Sequence, residues 1–171
     1  MTPADGGPAL GPLPSQHRAW WCSDHGFTLV EILAVIMVIS LLAGLGLPKL
    51  RTVVEKAKVA RAIGDIDAIQ FDLMAIESQN QPLPPSLAAI GRGGIRDPWG
   101  RPYIYFPFPV STRRNPPGAR RDRFLVPVNS TFDLYSMGPD GQSALPFTAA
   151  ASYDDIVRAN DGGYVGLASG F

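Results

Sequence analysis

A single carboxylate lies near the start of the longest apolar stretch of the chain. Glu31 is the only charged residue in 27–47, FTLVEILAVIMVISLLAGLGL. A carboxylate at mid-bilayer costs about 2.5–3.5 kcal/mol on insertion scales, and less near the membrane surface. An amino group on a neighbouring copy would offset this cost, and cleavage after Gly26 would create one at Phe27. The open alternative is a carboxylate that simply reaches the membrane surface.

A second set of acidic residues gathers toward the C-terminus. These residues are Asp140, Asp154, Asp155 and Asp161, with Gly and Ser among the residues between them. Calcium binds six to eight oxygens, from carboxylates and backbone carbonyls on flexible loops, so these residue types allow a calcium site. The alternative is that Pro-Asp-Gly at 139–141 forms only a turn and the acids are hydrated. From residue types alone, we favour the turn.

The sequence lacks the combinations of residues that are typical of active sites. It contains no Ser/His/Asp set, phosphate-binding loop or Cys/His cluster, so we expect no enzyme. Both histidines, His17 and His25, and the single cysteine, Cys22, precede the predicted cleavage point. The mature chain is therefore expected to have no disulfide and no histidine metal ligand.

Charge gives no sign of a nucleic-acid partner. The formal net charge is +0 and charged residues make up 18% of the chain. One loop is rich in arginine, but no helix or interleaved aromatic residues present it, so we predict a solvated loop and no nucleic-acid binding. Its arginines are Arg113, Arg114, Arg120, Arg121 and Arg123.

Glu31 is predicted to lie near the start of one long helix. Residues 1–26 begin with a Pro/Gly-rich, almost uncharged stretch and predict a leader; a retained disordered tail is the alternative. Residues 27–47 are apolar on all sides and long enough, at about 1.5 Å per residue, to cross a hydrocarbon core of about 30 Å. Pro48 permits a kink. From 48 to 80 the apolar residues recur at steps of three and four, which predicts an amphipathic helix that ends near Asn80.

The remaining segment, 81–171, is predicted to be rich in strands and loops. Aromatic and β-branched runs at 102–108, 123–128 and 131–136 are bounded by turn residues and are strand candidates. The predicted fold class is therefore α+β. A long N-terminal helix, membrane-spanning in its first half, packs on a small antiparallel sheet that is followed by a C-terminal loop region.

The segment from Gly26 to Glu31, GFTLVE, closely resembles the prepilin signature of type IV pilins and type II secretion pseudopilins. The resemblance implies that a membrane-embedded aspartyl peptidase cuts after Gly26 and methylates Phe27. Glu31 matches the family's glutamate, the fifth residue of the mature chain, and Pro48 matches its helix-breaking proline. It also implies the pilin-like version of the α+β fold.

Two further segments resemble the major pseudopilin of type II secretion. They are DPWGRPY at 97–103 and FDLYSMGPDG at 132–141. This resemblance implies a calcium ion bound by Asp140, the Met137 carbonyl and Asp155, with Asp154 as a further candidate ligand. The stretch between Gly141 and Asp154 is longer and more apolar than in the family. In the open alternative, packing by Leu145 and Phe147 has replaced the ion.

The resemblance implies a structural subunit of a pseudopilus. The expected partners are further copies of the chain, minor pseudopilins, inner-membrane secretion assembly proteins, the prepilin peptidase and the membrane. The expected location is the inner membrane, crossed once, with the C-terminal domain in the periplasm. The alternatives are a minor pseudopilin or type IV pilin for adhesion, motility or DNA uptake, and a non-polymerising single-span protein with a periplasmic calcium-binding module.

Overall fold

The computed structural model describes residues 26–112, 114 and 116–171, with the backbone alone at 45–48 and 112. The chain divides into two compact units, Met1–Ala43 and Gly44–Phe171. The predicted leader, with Cys22 and both histidines, lies outside the described residues except for Gly26. The predicted domain boundaries therefore stay predictions.

A single α-helix, α1 (Leu29–Ser78), accounts for most of the first half of the described chain. It begins after Thr28, whose hydroxyl oxygen accepts a hydrogen bond from the Glu31 backbone N–H at 3.2 Å. It ends two residues before Asn80, close to the predicted end. The side chain of Pro48 is not among those described, and its predicted role stays a prediction.

In the first unit, the apolar side chains of α1 are exposed. Within Leu29–Ser78 one stretch is long and apolar enough to cross a membrane, with a mean hydropathy of 2.5 and none of it buried. The exposed side chains include Leu29, Val30, Ile32, Leu33, Val35, Ile36, Met37, Val38, Ile39, Leu41 and Leu42. Such a surface is unfavourable in water and needs lipid or other helices around it.

The second unit contains a four-stranded antiparallel sheet in sequential order. Its strands are β1 (Ile104–Pro107), β2 (Phe132–Ser136), β3 (Ile156–Ala159) and β4 (Tyr164–Leu167). Ile104 pairs with Tyr135 across β1 and β2, Tyr135 with Val157 across β2 and β3, and Val157 with Gly166 across β3 and β4. Each strand therefore lies beside the strand that precedes it in the sequence. Because these neighbours are antiparallel, loops are enough to connect them.

The main hydrophobic core lies between α1 and one face of this sheet. Ala62, Ile66, Ile69 and Leu73 form a stripe on α1 and are all fully buried. They share one core cluster with Tyr103, Phe132, Leu134 and Ile156. The spacing of the helical residues follows the 3.6-residue period, as predicted for the amphipathic helix. The predicted α+β, pilin-like architecture is confirmed.

The other face of the sheet is covered by loops. Val157 and Ala159 of β3 form a second cluster with Val128, Phe147 and Ala168. Because side chains alternate between the two faces of a strand, β3 contributes Ile156 to one core and its neighbour Val157 to the other. All four residues of β3 are buried.

One strand prediction is wrong, and two strands were missed. The run 123–128 is a loop in which Phe124 is fully exposed and Arg123 has a φ of 41°. Asp122 and Leu125 exchange backbone hydrogen bonds of 3.0 and 2.6 Å, which close a tight turn instead of a strand. Conversely, β3 and β4 lie in what was predicted as a loop region.

Candidate functional site

The predicted processing and assembly residues lie together at the beginning of α1. Gly26 and Phe27 precede the helix, and Phe27 is 76% exposed. Glu31 is exposed in the first turn, where its charge also interacts favourably with the helix dipole. Its backbone N–H donates to the Thr28 hydroxyl and carbonyl oxygens at 3.2 and 3.1 Å.

Thr28 is a residue whose role was not predicted. Thr28 and Glu31 have the spacing of a capping box, Ser/Thr-x-x-Glu, at the N-terminus of a helix. This spacing was readable in the sequence. The capping-box spacing therefore accounts for a glutamate at position 31 without a second subunit, besides any role in subunit pairing. A capping role is satisfied within one chain, whereas the predicted pairing role needs a second copy.

The two segments that resemble the major pseudopilin meet in space. Asp97, only 3% exposed, accepts hydrogen bonds at Oδ1 from the backbone N–H groups of Trp99 and Arg101, at 3.1 and 2.8 Å. Its Oδ2 accepts one from the Ser136 hydroxyl at 2.6 Å. Gly100, with a φ of 91°, completes this turn, in a conformation that favours glycine. Asp97 thus joins the DPWG turn to the end of β2.

Side chains on the polar part of α1 connect the helix to loops and strands. The Trp99 indole N–H donates to Glu55 at 3.2 Å, and the Tyr103 hydroxyl donates to Asp65 at 2.8 Å. Burial and the adjacent Asp65 carboxylate raise the pKa of Tyr103 well above its ordinary value. Arg92 pairs with Asp72 at 2.7 Å. Asp65 and Asp72 of α1 therefore help to position the sheet on the helix.

The predicted calcium ligands separate into two places. In the first, the Asp140 backbone N–H donates to Asp154 Oδ2 at 3.0 Å, while Asp140 Oδ1 accepts from the Gln142 N–H at 2.7 Å. The Met137 carbonyl accepts from the Gly141 N–H at 3.1 Å. These contacts are those of a tight turn that lies against Asp154.

The second place is the carboxylate of Asp155, which is completely buried. Its Oδ2 accepts hydrogen bonds from Arg120 Nη2 and the Ser143 hydroxyl, both at 2.6 Å. Burial raises the pKa of Asp155, and the donors on Ser143 and Arg120 act in the opposite direction. Within the described ranges, no three acidic, histidine or cysteine side chains converge as a metal site would require. As arranged here, the acidic side chains among the four predicted ligands form no three-residue cluster, while Asp155 Oδ1 is buried without a hydrogen-bond partner among the described residues. Calcium binding stays a prediction.

The prediction of a wholly solvated basic loop is wrong for one arginine. Arg114, Arg121 and Arg123 are exposed, but Arg120 is only 3% exposed. Arg113 lies outside the described residues. Sequence could not single out Arg120 from Arg121, because both lie in one polar run and the partner carboxylate is 35 residues away.

A comparison with known families identifies the N-terminal segment. Residues 21–47 match the prokaryotic N-terminal methylation motif. This match includes Gly26, Phe27 and Glu31, and supports the resemblance of this segment to processed pilin-like precursors. No solved structure matches the chain.

Comparison with curated proteins covers most of the chain. The chain is 33% identical to type II secretion system core protein G of Pseudomonas aeruginosa, over 70% of this chain and 86% of that protein. For the protein of the same name from Escherichia coli, the identity is 30% over 70% of this chain and 84% of the relative. The protein of the same name from Aeromonas hydrophila is 30% identical, over 80% of this chain and 93% of the relative. With the methylation motif, the apolar first half of α1 and the α+β architecture, these similarities show that the chain belongs to the type II secretion core protein G family, the major pseudopilins.

Proposed function

We propose that the chain is made as a precursor, cut after Gly26, methylated at Phe27 and polymerised into a pseudopilus that drives protein export. The observation that carries this proposal is the exposed apolar surface of α1 with one carboxylate, Glu31, in its first turn. In the membrane, lipid covers that surface. In a fibre, the same surface is covered by helices of other copies.

Glu31 sets the register of the fibre. Cleavage places a new amino group on Phe27, four residues before Glu31. When apolar helices pack together, a carboxylate among them is tolerated only if a positive group pairs with it. The amino group of a neighbouring subunit supplies that charge at one axial offset, and other offsets leave both charges unpaired.

The remaining steps follow from the family. The subunit is held in the inner membrane by the apolar first half of α1, with the C-terminal domain in the periplasm. The prepilin peptidase processes it, and minor pseudopilins and inner-membrane assembly proteins support its addition to the fibre. Growth of the fibre pushes folded cargo outward.

The test replaces Glu31 in the organism that makes the protein. Glu31→Leu removes the charge, so membrane insertion and cleavage continue while the amount of assembled fibre falls by about tenfold or more. Fibre is measured by shearing and immunodetection, and cleavage by intact mass of the membrane-extracted protein.

Two controls make the result specific. Glu31→Asp keeps the charge and retains more assembly than Glu31→Leu. Glu77→Leu removes an acid elsewhere on α1 and leaves assembly unchanged. Normal fibre from Glu31→Leu would contradict the pairing role of Glu31. Functional protein that still carries its leader would instead favour a non-polymerising membrane protein.

A further inference from the structure

A buried arginine, Arg120, lies where loops of the C-terminal region meet the sheet. The backbone of Arg120 is held in place by two hydrogen bonds: its N–H donates to Asp133 Oδ2 at 2.6 Å, and its carbonyl accepts from the Val128 N–H at 3.0 Å. Asp133 is 1% exposed and belongs to β2. The loop that begins at Arg120 is therefore attached directly to the sheet.

The guanidinium of Arg120 connects this loop to the next one. Nη2 donates to Asp155 Oδ2 at 2.6 Å, and Nη1 donates to the Ser143 hydroxyl. The guanidinium carbon lies 4.3 Å from the ring centre of Tyr135 and 5.1 Å from that of Phe147. A cation at such distances from aromatic rings is attracted to their faces. One group thus contacts β2 and both ends of the long stretch between Gly141 and β3.

The Arg120 and Asp155 side chains are both buried, at 3% and 0% exposed, and among the described residues Arg120 Nε and Asp155 Oδ1 have no hydrogen-bond partner. Asp155 is 0% exposed and directly precedes β3. A buried carboxylate without a counter-charge is strongly destabilising, so a positive group must accompany it. Arginine remains charged at all ordinary pH values and presents several donors in a fixed geometry, which allows it to bind a carboxylate, a hydroxyl and an aromatic face together.

A second guanidinium binds the neighbouring turn. Arg101 donates from Nη1 to the Gly138 carbonyl at 2.6 Å and from Nη2 to the Pro139 carbonyl at 3.2 Å. A Cβ on Gly141 would lie 2.5 Å from the Arg101 guanidinium, so that glycine leaves room for the arginine. Positive charge from the chain therefore reaches both the turn carbonyls and the Asp155 carboxylate.

We propose that Arg120, together with Arg101 on the neighbouring turn, holds the C-terminal loops in place of a calcium ion, so that the folded state of this chain does not depend on calcium. Arg120 supplies the counter-charge for Asp155, and Phe147 fills the adjacent apolar space. The inference concerns the stability of the folded domain and is independent of whether the chain polymerises.

The experiment measures thermal unfolding of the full chain in detergent, in excess calcium chloride and in excess chelator. We expect the two midpoints to agree within about 1 °C, whereas a calcium ion bound only by the folded state would separate them by several degrees. A higher midpoint in calcium by several degrees would overturn the proposal.

Matched variants test the arginine itself. Arg120→Met keeps the apolar stem and removes the charge, and is expected to lower the midpoint by several degrees with and without calcium. Arg121→Met alters the adjacent, exposed arginine and is expected to leave the midpoint unchanged. Equal midpoints for these two variants would overturn the role of Arg120. If Arg120→Met does not fold, the comparison of calcium with chelator on the unaltered chain still decides the proposal.

Discussion

At the scale of single residues, a few buried polar side chains organise long stretches of backbone. Asp97 is an example, since one carboxylate accepts two backbone N–H groups and a hydroxyl. Hydrogen bonds to a charged acceptor contribute about 1.5–3 kcal/mol each, and donors left buried without a partner are costly. The DPWG turn therefore depends on Asp97 more than on the larger Trp99, which is partly exposed.

We predict that Asp97→Ala lowers the free energy of unfolding by about 3 kcal/mol, because it leaves buried donors without an acceptor. Chemical denaturation of the full chain in detergent, followed by circular dichroism, measures the loss. Ser136→Ala is the control; it removes the hydroxyl that donates to Asp97 and accepts from the Gly138 N–H at 3.2 Å, but it leaves both backbone donors of the DPWG turn paired with Asp97 and is expected to cost less than Asp97→Ala. Equal losses in the two variants would show that Asp97 does not organise the turn.

At the scale of elements, α1 has two surfaces with different roles. Its stripe of buried residues packs on the sheet, whereas Phe71 on the same helix is 75% exposed. Arg158 of β3 adds a polar connection, with Nε donating to the Gln70 side chain of α1 at 3.1 Å and the guanidinium over Phe132 at 4.0 Å. The helix is thus attached to the centre of the sheet by both apolar and polar contacts.

We predict that Leu73→Ala, at a fully buried position, destabilises the Gly44–Phe171 unit by about 2–5 kcal/mol, because it leaves a cavity between helix and sheet. Phe71→Ala removes a larger side chain two residues away, but from an exposed position, and is expected to change stability by at most about 0.5 kcal/mol. Hydrogen exchange of the backbone amides in β2 and β3 measures the difference. A larger loss for Phe71→Ala would mean that the helix face is wrongly assigned.

At the scale of the whole molecule, the proposed processing acts on the short segment before α1. The methylation motif covers Gly26 and Phe27, where the precursor is proposed to be cut. Among the described residues, no atom lies within 4 Å of a Cβ built at Gly26, so a substitution there does not disturb the described fold. An effect of such a substitution therefore reports recognition by the peptidase.

We predict that Gly26→Val leaves the full-length precursor in the membrane and abolishes its assembly, because the bulkier residue blocks cleavage. Intact mass of the membrane-extracted protein measures the uncut fraction. Gly44→Val is the control, since that glycine also has open space around it but lies within α1, and its leader is expected to be removed normally. Cleavage of both variants at the same rate would place the processing site elsewhere.

The sequence by itself determined the parts of the protein whose signals are local. The apolar run of 27–47 and the three- and four-residue spacing after Pro48 predicted α1. The periodicity of a helix involves only residues close together in the sequence, so the sequence alone reveals it. GFTLVE, DPWGRPY and FDLYSMGPDG predicted the family, which the comparisons then showed. The strands β1 and β2 also follow from aromatic and β-branched runs bounded by turns.

Only the tertiary structure decided which residues of the C-terminal half are brought together. The strand β3 is buried on both faces and contains Arg158, so it lacks the alternation that marks a half-buried strand. The run 123–128 has strand-like residues but no strand beside it, and it therefore forms a loop with Phe124 exposed. Arg120 was indistinguishable from its exposed neighbours until the fold placed it against Asp155. A buried ion pair depends on contacts between distant segments, and these are specified by the packing of the whole domain and not by any local pattern.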